Sequence, residues 1–185
     1  MIDDIKQDAN VRMGKSLEAL SHAFSRIRTG RANPAILEGI EVQYYGTDTP
    51  LNQVASISVE DARTLLISPW EKNLLPEIEK AILKSALGIT PATGPGVIRI
   101  PLPPLSEENR RDLAKQAKQE AEQARVAVRN IRRDAIGDIR ELVKEKEIAE
   151  DDARRGEEEI QKLTDRRIAE IDHALAEKEA DVLKI

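Results

Sequence analysis

The residues best suited to binding chemistry are arginines and lysines, which are concentrated in one segment of the chain. From Arg110 to Arg133 there are eight basic residues against three acidic ones, whereas the whole chain of 185 residues has a formal net charge of −5. A helix advances by about 100° per residue, so six further basic side chains fall within about 60° of Arg111. This basic face consists of Arg111, Lys115, Lys118, Arg125, Arg129, Arg132 and Arg133.

The basic face favours contacts with the phosphate backbone of a nucleic acid. A planar guanidinium group can form two hydrogen bonds to one phosphate. Aromatic residues make up only 2% of the chain, which argues against stacking on unpaired bases, and no base-reading motif is evident. We therefore expect recognition of the shape of a folded RNA. The alternative is a solvated helix face with intrahelical ion pairs, such as Glu122 with Arg125.

Other kinds of chemistry find little support in the sequence. His22 and His173 lie on different helical segments, and the chain has no cysteine. The acidic run from Glu150 to Asp152 lacks the alternating oxygen ligands and central glycine of a calcium loop. The TGPG segment at 93–96 is a turn, because a phosphate loop needs a Gly-Lys-Ser/Thr sequence that leads into a helix. The sequence therefore predicts no enzyme, no metal site and no cofactor.

The composition is typical of a helix-rich protein that works in the cytosol. Hydrophobic residues make up 40% and charged residues 34% of the chain. No apolar run approaches the roughly 18 residues that a membrane span needs. The N-terminal segment MIDDIKQDANVRM begins with acids and resembles no signal peptide. We expect a cytoplasmic protein without a membrane partner.

Three long helices are predicted from apolar residues that recur at steps of three and four. They span residues 2–29, 106–145 and about 151–183. The middle helix has a seam of small and aliphatic residues: Ala114, Ala117, Ala121, Ala124, Val128, Ile131, Ala135, Ile139 and Leu142. Three helices that are each apolar on one stripe can bury those stripes together, so we expect an elongated antiparallel three-helix bundle that is monomeric.

Residues 31–105 have a different character and predict a small inserted α+β domain. They hold all nine prolines of the chain. The β-branched runs at 40–45, 54–59, 64–68 and 97–100 indicate strands, and residues 76–87 indicate one helix. The second and third runs flank Glu60–Arg63, which suggests a hairpin with a four-residue loop.

The chain is thus predicted to form a bundle domain from 1–30 and 106–185, with an insert at 31–105. Two short links, 30–34 and 101–106, join these parts and predict hinge strands that restrict the insert to rotation about roughly one axis. The hinge candidates are Gly30, Arg31, Pro104 and Leu105. A fixed interface between the two parts is the alternative.

Four strings in the sequence resemble the bacterial ribosome recycling factor family. They are RTGRANP at 28–34, YYG at 44–46, IPLPPL at 100–105 and EQARVAVRNIRRD at 122–134. The resemblance runs from end to end. It implies a three-helix bundle with an inserted β/α/β sandwich domain, and an L-shaped outline like that of transfer RNA.

The resemblance also implies a function. A factor of this family is a non-enzymatic protein that binds large-subunit rRNA of the 70S ribosome after termination. With elongation factor G and GTP it disassembles the post-termination complex so that the subunits are recycled. The GTP belongs to the elongation factor.

The site residues follow from the resemblance and from the basic face together. Arg129 and Arg132 match the ribosome-contacting arginines of the family. The basic segment adds Arg110, Lys118, Arg125 and Arg133 as candidates. Arg28 and Arg31 lie in the matching RTGRANP string, where either a structural or an RNA-binding role is open. The competing hypothesis is a structural coiled-coil interaction protein, and an enzyme is a distant third.

Overall fold

Three long helices dominate the structure, a computed structural model that describes residues 1–29, 31–85 and 87–183. They are α1 (Ile2–Arg26), α4 (Glu107–Lys144) and α5 (Glu150–Leu183), and residues between α1 and α4 form a small α+β region. The predicted fold class, a three-helix bundle with an inserted α+β unit, is confirmed. By contacts the chain separates into Met1–Phe24 with Ala114–Ala180, the bundle unit, and Ser25–Leu113 with the last turn of α5, the insert unit.

In the bundle unit, α4 runs antiparallel to both other helices. Arg125 reaches Asp172 near the far end of α5, and Arg140 reaches Glu157 near its start. Arg12 of α1 forms an ion pair with Asp134 of α4, with 3.2 Å between Nη2 and Oδ2. These pairs fix the register of the three helices, which sequence periodicity cannot supply.

The seam of α4 is the centre of the bundle unit. Its buried residues are Ala117, Ala121, Ala124, Val128, Ile131, Ala135 and Ile139, as the spacing predicted. Small side chains let helices approach closely. At Gly156 of α5, an added methyl group would stand 3.0 Å from a side-chain carbon of Ile2 and 3.3 Å from one of Ile139.

A side chain caps the start of α4. The Ser106 hydroxyl accepts a hydrogen bond from the Asn109 backbone N–H at 3.1 Å, and Glu107 and Glu108 occupy the first turn. A side-chain acceptor satisfies one of the free N–H groups at a helix start, and acids favour its positive end.

The insert unit contains two small antiparallel sheets. Strands β1 (Glu41–Tyr44) and β2 (Thr47–Pro50) form one hairpin. The other sheet has the order β3-β4-β6-β5, and its strands are β3 (Ala55–Asp61), β4 (Thr64–Pro69), β5 (Ala92–Gly94) and β6 (Val97–Pro101). Helices α2 (Leu51–Val54) and α3 (Leu75–Lys84), with 3-10 turns at Pro34–Leu37 and Lys72–Leu74, complete the unit.

Large aliphatic side chains fill the core of the insert unit. Leu65 and Ile67 of β4, Ile98 of β6, and Ile78 and Ile82 of α3 are all fully buried. Alternate residues of a strand point to the same face of a sheet, so one face of β4 and β6 packs on the core.

Helices α1 and α3 each end three residues earlier than predicted. After α1, the Thr29 hydroxyl donates to the Arg31 carbonyl and accepts from the Arg31 backbone N–H. These bonds take the place of the helical hydrogen bonds that the Arg31 backbone would otherwise form. In α3, the Ser85 hydroxyl and backbone N–H both donate to the Ile82 carbonyl. Such local side-chain bonds compete with helix continuation.

The β3–β4 hairpin was predicted, but its loop is two residues long and not four. Asp61 pairs with Thr64, so only Ala62 and Arg63 form the turn. The Asp61 carboxylate accepts the Arg63 backbone N–H at 2.9 Å, which tightens the turn and lowers the pKa of Asp61. Strands β2 and β5 were not predicted, because TDTP and ATG lack a β-branched run.

Candidate nucleic-acid interface

The basic face lies on the side of α4 away from the buried seam, and its members differ in exposure. Lys115, Lys118, Arg129 and Arg133 are exposed, whereas Arg125 and Arg132 are half-buried. The helical positions explain the difference, since Arg125 and Arg132 stand about 40° and 60° from Arg111 on the side toward the seam. The face therefore has an outward part and an edge toward α5.

The edge residues are held by partners on α5. The Arg125 guanidinium donates to the Asp172 carboxylate at 2.7 Å and to Glu122 at 3.0 Å, and these bonds raise the pKa of Arg125. Its side chain is only 19% exposed. Arg132 donates to the Gln161 side-chain oxygen at 3.0 Å, while its Nε is buried without a partner among the described residues. Both arginines stabilise the packing of α5 on α4.

The outward residues present their charges to solvent. Within the part of the chain that the structure describes, Lys115, Lys118 and Arg133 form no hydrogen bond and no ion pair. Arg129 is 47% exposed, and its one ion pair among the described residues, with Glu122, is long at 3.6 Å. An exposed ion pair contributes little, so a phosphate can replace Glu122 as the partner of Arg129.

Arg110 occupies a different position. It stands about 100° from Arg111, on the seam side of the helix, and belongs to the insert unit. The residue is half-buried, and its Nε has no partner among the described residues. Arg110 therefore lies apart from the outward residues around α4, whereas Lys115, a member of the basic face, lies with them.

The candidate hinge residues lie in two links that are hydrogen-bonded to the β3–β4 turn. The backbone N–H groups of Ala32 and Leu102 donate to the carbonyls of Ala62 and Arg63 in the β3–β4 turn, each at 2.7 Å. Pro104 is exposed and Leu105 is buried. Arg31 is exposed, and Gly30 lies outside the described residues.

Arg28 joins the two links through its side chain. Its guanidinium donates to the backbone carbonyl of Pro103, and its Nε is buried without a partner in the described ranges. Burial lowers the pKa of Arg28. The bond to Pro103 favours a structural role for Arg28, in which its side chain connects the two links, over the alternative role in RNA binding.

The structure offers little for other chemistry. Among the described residues there is no group of three or more histidines, aspartates and glutamates placed to hold a metal ion. His173 is an exposed residue paired with Glu177 on the same helix. No described helix is both long and apolar enough to cross a membrane.

The described chain combines a three-helix bundle unit, which carries an exposed basic face, with an α+β insert. The family model for "Ribosome recycling factor" matches residues 20–183. The chain is 61% identical to the ribosome-recycling factor of Hahella chejuensis and 60% identical to that of Alcanivorax borkumensis, in both cases over all of both chains. The chain belongs to the ribosome recycling factor family.

Solved structures agree with this assignment. The fold is similar to a solution structure of a ribosome recycling factor, with a TM-score of 0.77 and 40% identity over 100% of this chain and 98% of that one. A second similar chain comes from models for the T. thermophilus ribosome recycling factor and the E. coli elongation factor G bound to the E. coli post-termination complex. That chain is 44% identical to this one, with a TM-score of 0.69 and coverage of 100% of both chains.

Family membership confirms two expectations. The resemblance drawn from the four sequence strings is correct, and the chain is a non-enzymatic translation factor of ribosome recycling. The roles of individual arginines and of the hinge residues stay predictions.

Proposed function

We propose that the chain binds large-subunit rRNA through the outward part of the basic face and, with elongation factor G and GTP, disassembles the post-termination ribosome. Relatives of the same length are ribosome-recycling factors, and the similar solved chain comes from a post-termination complex that also holds elongation factor G. The chain acts in the cytoplasm as a monomer. The GTP is bound and hydrolysed by the elongation factor.

The observation that carries the RNA contact is the exposed charge of Lys118, Arg129 and Arg133. Their positions on α4 differ by at most about 60° around the helix, and Lys118 and Arg133 are about 22 Å apart along it. That length spans several phosphates of an RNA strand. Arg125 and Arg132 contribute at the edge, where Asp172 and Gln161 hold their guanidinium groups.

The proposed role of the insert unit is mechanical. Both links are hydrogen-bonded to the β3–β4 turn through Ala32 and Leu102, so the segment 32–102 moves as one body. Rotation then concentrates in Arg31 and in the Pro103–Leu105 segment, because hinges lie in loop residues that absorb backbone changes. Elongation factor G supplies the force for that movement.

The RNA contact is tested by Arg129→Ala combined with Arg133→Ala, measured as affinity for 70S ribosomes at several salt concentrations. We expect a loss of roughly a hundredfold at low salt, since a hydrogen bond to a charged group contributes about 1.5–3 kcal/mol. The slope of log affinity against log salt should fall in magnitude by about 2, because two phosphate contacts disappear.

The matched control is Arg154→Ala with Arg155→Ala, which removes the same charge from α5. Those arginines are exposed and pair with Asp151 and Asp152 on their own helix. The control should keep the affinity and the salt slope of the parent. Equal behaviour of the two double variants would contradict the proposal.

A coiled-coil interaction protein is not favoured by the structure. The seam that would pair with another chain, from Ala117 to Ile139, is buried within the bundle unit. A concentration-dependent dimer in sedimentation equilibrium would revive that alternative.

A further inference from the structure

A strip of uncharged amide side chains runs along α4 beside the basic face. This amide strip consists of Gln116, Gln119, Gln123 and Asn130, and all four residues are exposed. They stand about 80–140° around the helix from Arg129, on the side away from the α5 edge, and extend along about 21 Å of it. Three of the seven glutamines of the chain lie within these eight residues, 116–123.

The amide strip has free hydrogen-bonding capacity. None of its four side chains forms a hydrogen bond within residues 1–29, 31–85 and 87–183, in contrast to Gln161, which bonds both Arg132 and Asp165. Each amide carries two donor hydrogens and one acceptor oxygen. The strip can therefore donate to and accept from a partner that lies along α4.

A shallow groove of about 220 Å³ between α1 and α4 adjoins the amide strip. Its lining residues are Ser16, Ala19, Leu20, Glu120, Gln123, Ala124 and Ala127. The groove holds a carboxylate and no cationic side chain, so a phosphate is disfavoured there by charge. Hydroxyl and amino groups, which can donate to Glu120 and to the Gln123 oxygen, are favoured.

We propose that the amide strip contacts ribose 2′-hydroxyls and base edges in the minor groove of an RNA helix whose phosphates are held by Arg129 and Arg133. The minor groove of A-form RNA is wide and shallow and displays 2′-hydroxyls, which are both donors and acceptors. Side-chain amides can donate to and accept from such hydroxyls. The arginines of the neighbouring basic face can bind the phosphates that flank the groove. This assignment rests on the proposed RNA contact of the basic face and adds to it the means of recognising RNA.

The test is the triple variant Gln119→Ala, Gln123→Ala and Asn130→Ala, measured as affinity for large ribosomal subunits across a range of salt. We expect a loss of roughly tenfold to hundredfold for three hydrogen bonds. The salt slope should stay that of the parent, because neutral contacts release no counterions. Circular dichroism checks that helix content is unchanged.

The control removes exposed amides elsewhere. Gln53→Ala with Asn73→Ala changes two exposed residues of the insert unit and should leave the affinity within twofold. A triple variant that also stays within twofold of the parent would overturn the inference, and so would one that flattens the salt slope. If Arg129→Ala with Arg133→Ala changes nothing, the proposed function has failed instead.

Hydroxyl-radical footprinting separates RNA from protein as the partner of the amide strip. Hydroxyl radicals attack riboses from the minor groove, so the parent chain should protect a short run of rRNA riboses. The triple variant, at saturating concentration, should lose part of that protection. Unchanged protection despite weaker binding would overturn the inference in favour of a ribosomal protein contact.

Discussion

The bundle unit and the insert unit are stabilised by different means. Along α4, four of the seven buried residues are alanines, and ion pairs such as Arg125 with Asp172 join the helices at their edges. The insert unit instead packs leucines and isoleucines from two sheets and α3 into one cluster. Small side chains bury little area per residue, whereas each Leu or Ile contributes about 1.5–3 kcal/mol on burial.

The difference teaches what each unit is suited to do. Helix α4 packs against its neighbours through the alanine-rich seam, and the opposite side of the helix stays exposed. Lys118, Arg129 and Arg133 lie on that exposed side. The insert unit is held by its sheets and core, and the Ala32 and Leu102 hydrogen bonds fasten the links to it. The first arrangement suits recognition of an extended surface and the second suits rigid-body movement.

The largest expected effect comes from the same substitution made in both units. Ile67→Ala should cost about 4 kcal/mol of unfolding free energy and Ile160→Ala about 3, although both side chains are fully buried. Strand β4 is bonded on both sides by β3 and β6, so the cavity at Ile67 cannot collapse, whereas helices can shift. Urea unfolding measures both values, and a greater cost at Ile160 would contradict the comparison.

A smaller effect is expected from enlarging the alanine seam. Ala121→Leu should destabilise the chain by about 1–3 kcal/mol, because Ala121 is fully buried where α4 packs in the bundle. Ala176→Leu, at an exposed position of α5, is the matched control and should be close to neutral. Thermal unfolding distinguishes them, and equal melting temperatures would show that the seam is loosely packed.

The smallest effect is a gain. Gly137 lies inside α4, and a methyl group added there would meet no atom within 4 Å. Gly137→Ala should therefore stabilise the chain by about 0.5–1 kcal/mol, the usual difference in helix propensity. Gly46→Ala should destabilise it, since Gly46 has a φ of +80° that alanine rarely adopts. A loss of stability at Gly137 would show a helix constraint that the packing does not explain.

Most of the fold could be predicted from the sequence because its helices are long and periodic. The seam from Ala117 to Ile139 follows directly from the three-four spacing of its apolar residues. Strands β2 and β5 could not be predicted, because they are short edge strands whose residues show no alternation of apolar and polar side chains. Their pairing depends on β1 and β6, which lie beside them only in the folded chain.

The candidate site was predictable as a face but not residue by residue. Helical spacing placed Arg125 and Arg129 together, yet their exposure differs because Asp172, 47 residues further along, reaches only the first. Arg110 lies near the basic residues in sequence and about 100° away around the helix from Arg111. The amide strip contains no recognised motif. Its sequence signal is that no charged residue falls in its sector of α4 between Asp112 and Asp134.

The central claim, disassembly of the post-termination ribosome, is tested most directly by sedimentation of post-termination complexes. The parent chain with elongation factor G and GTP should convert 70S particles to subunits, and omission of any one of the three should leave them intact. Arg129→Ala with Arg133→Ala should reduce conversion, while Arg154→Ala with Arg155→Ala should not. Intact 70S particles in the joint presence of all three components would contradict the account.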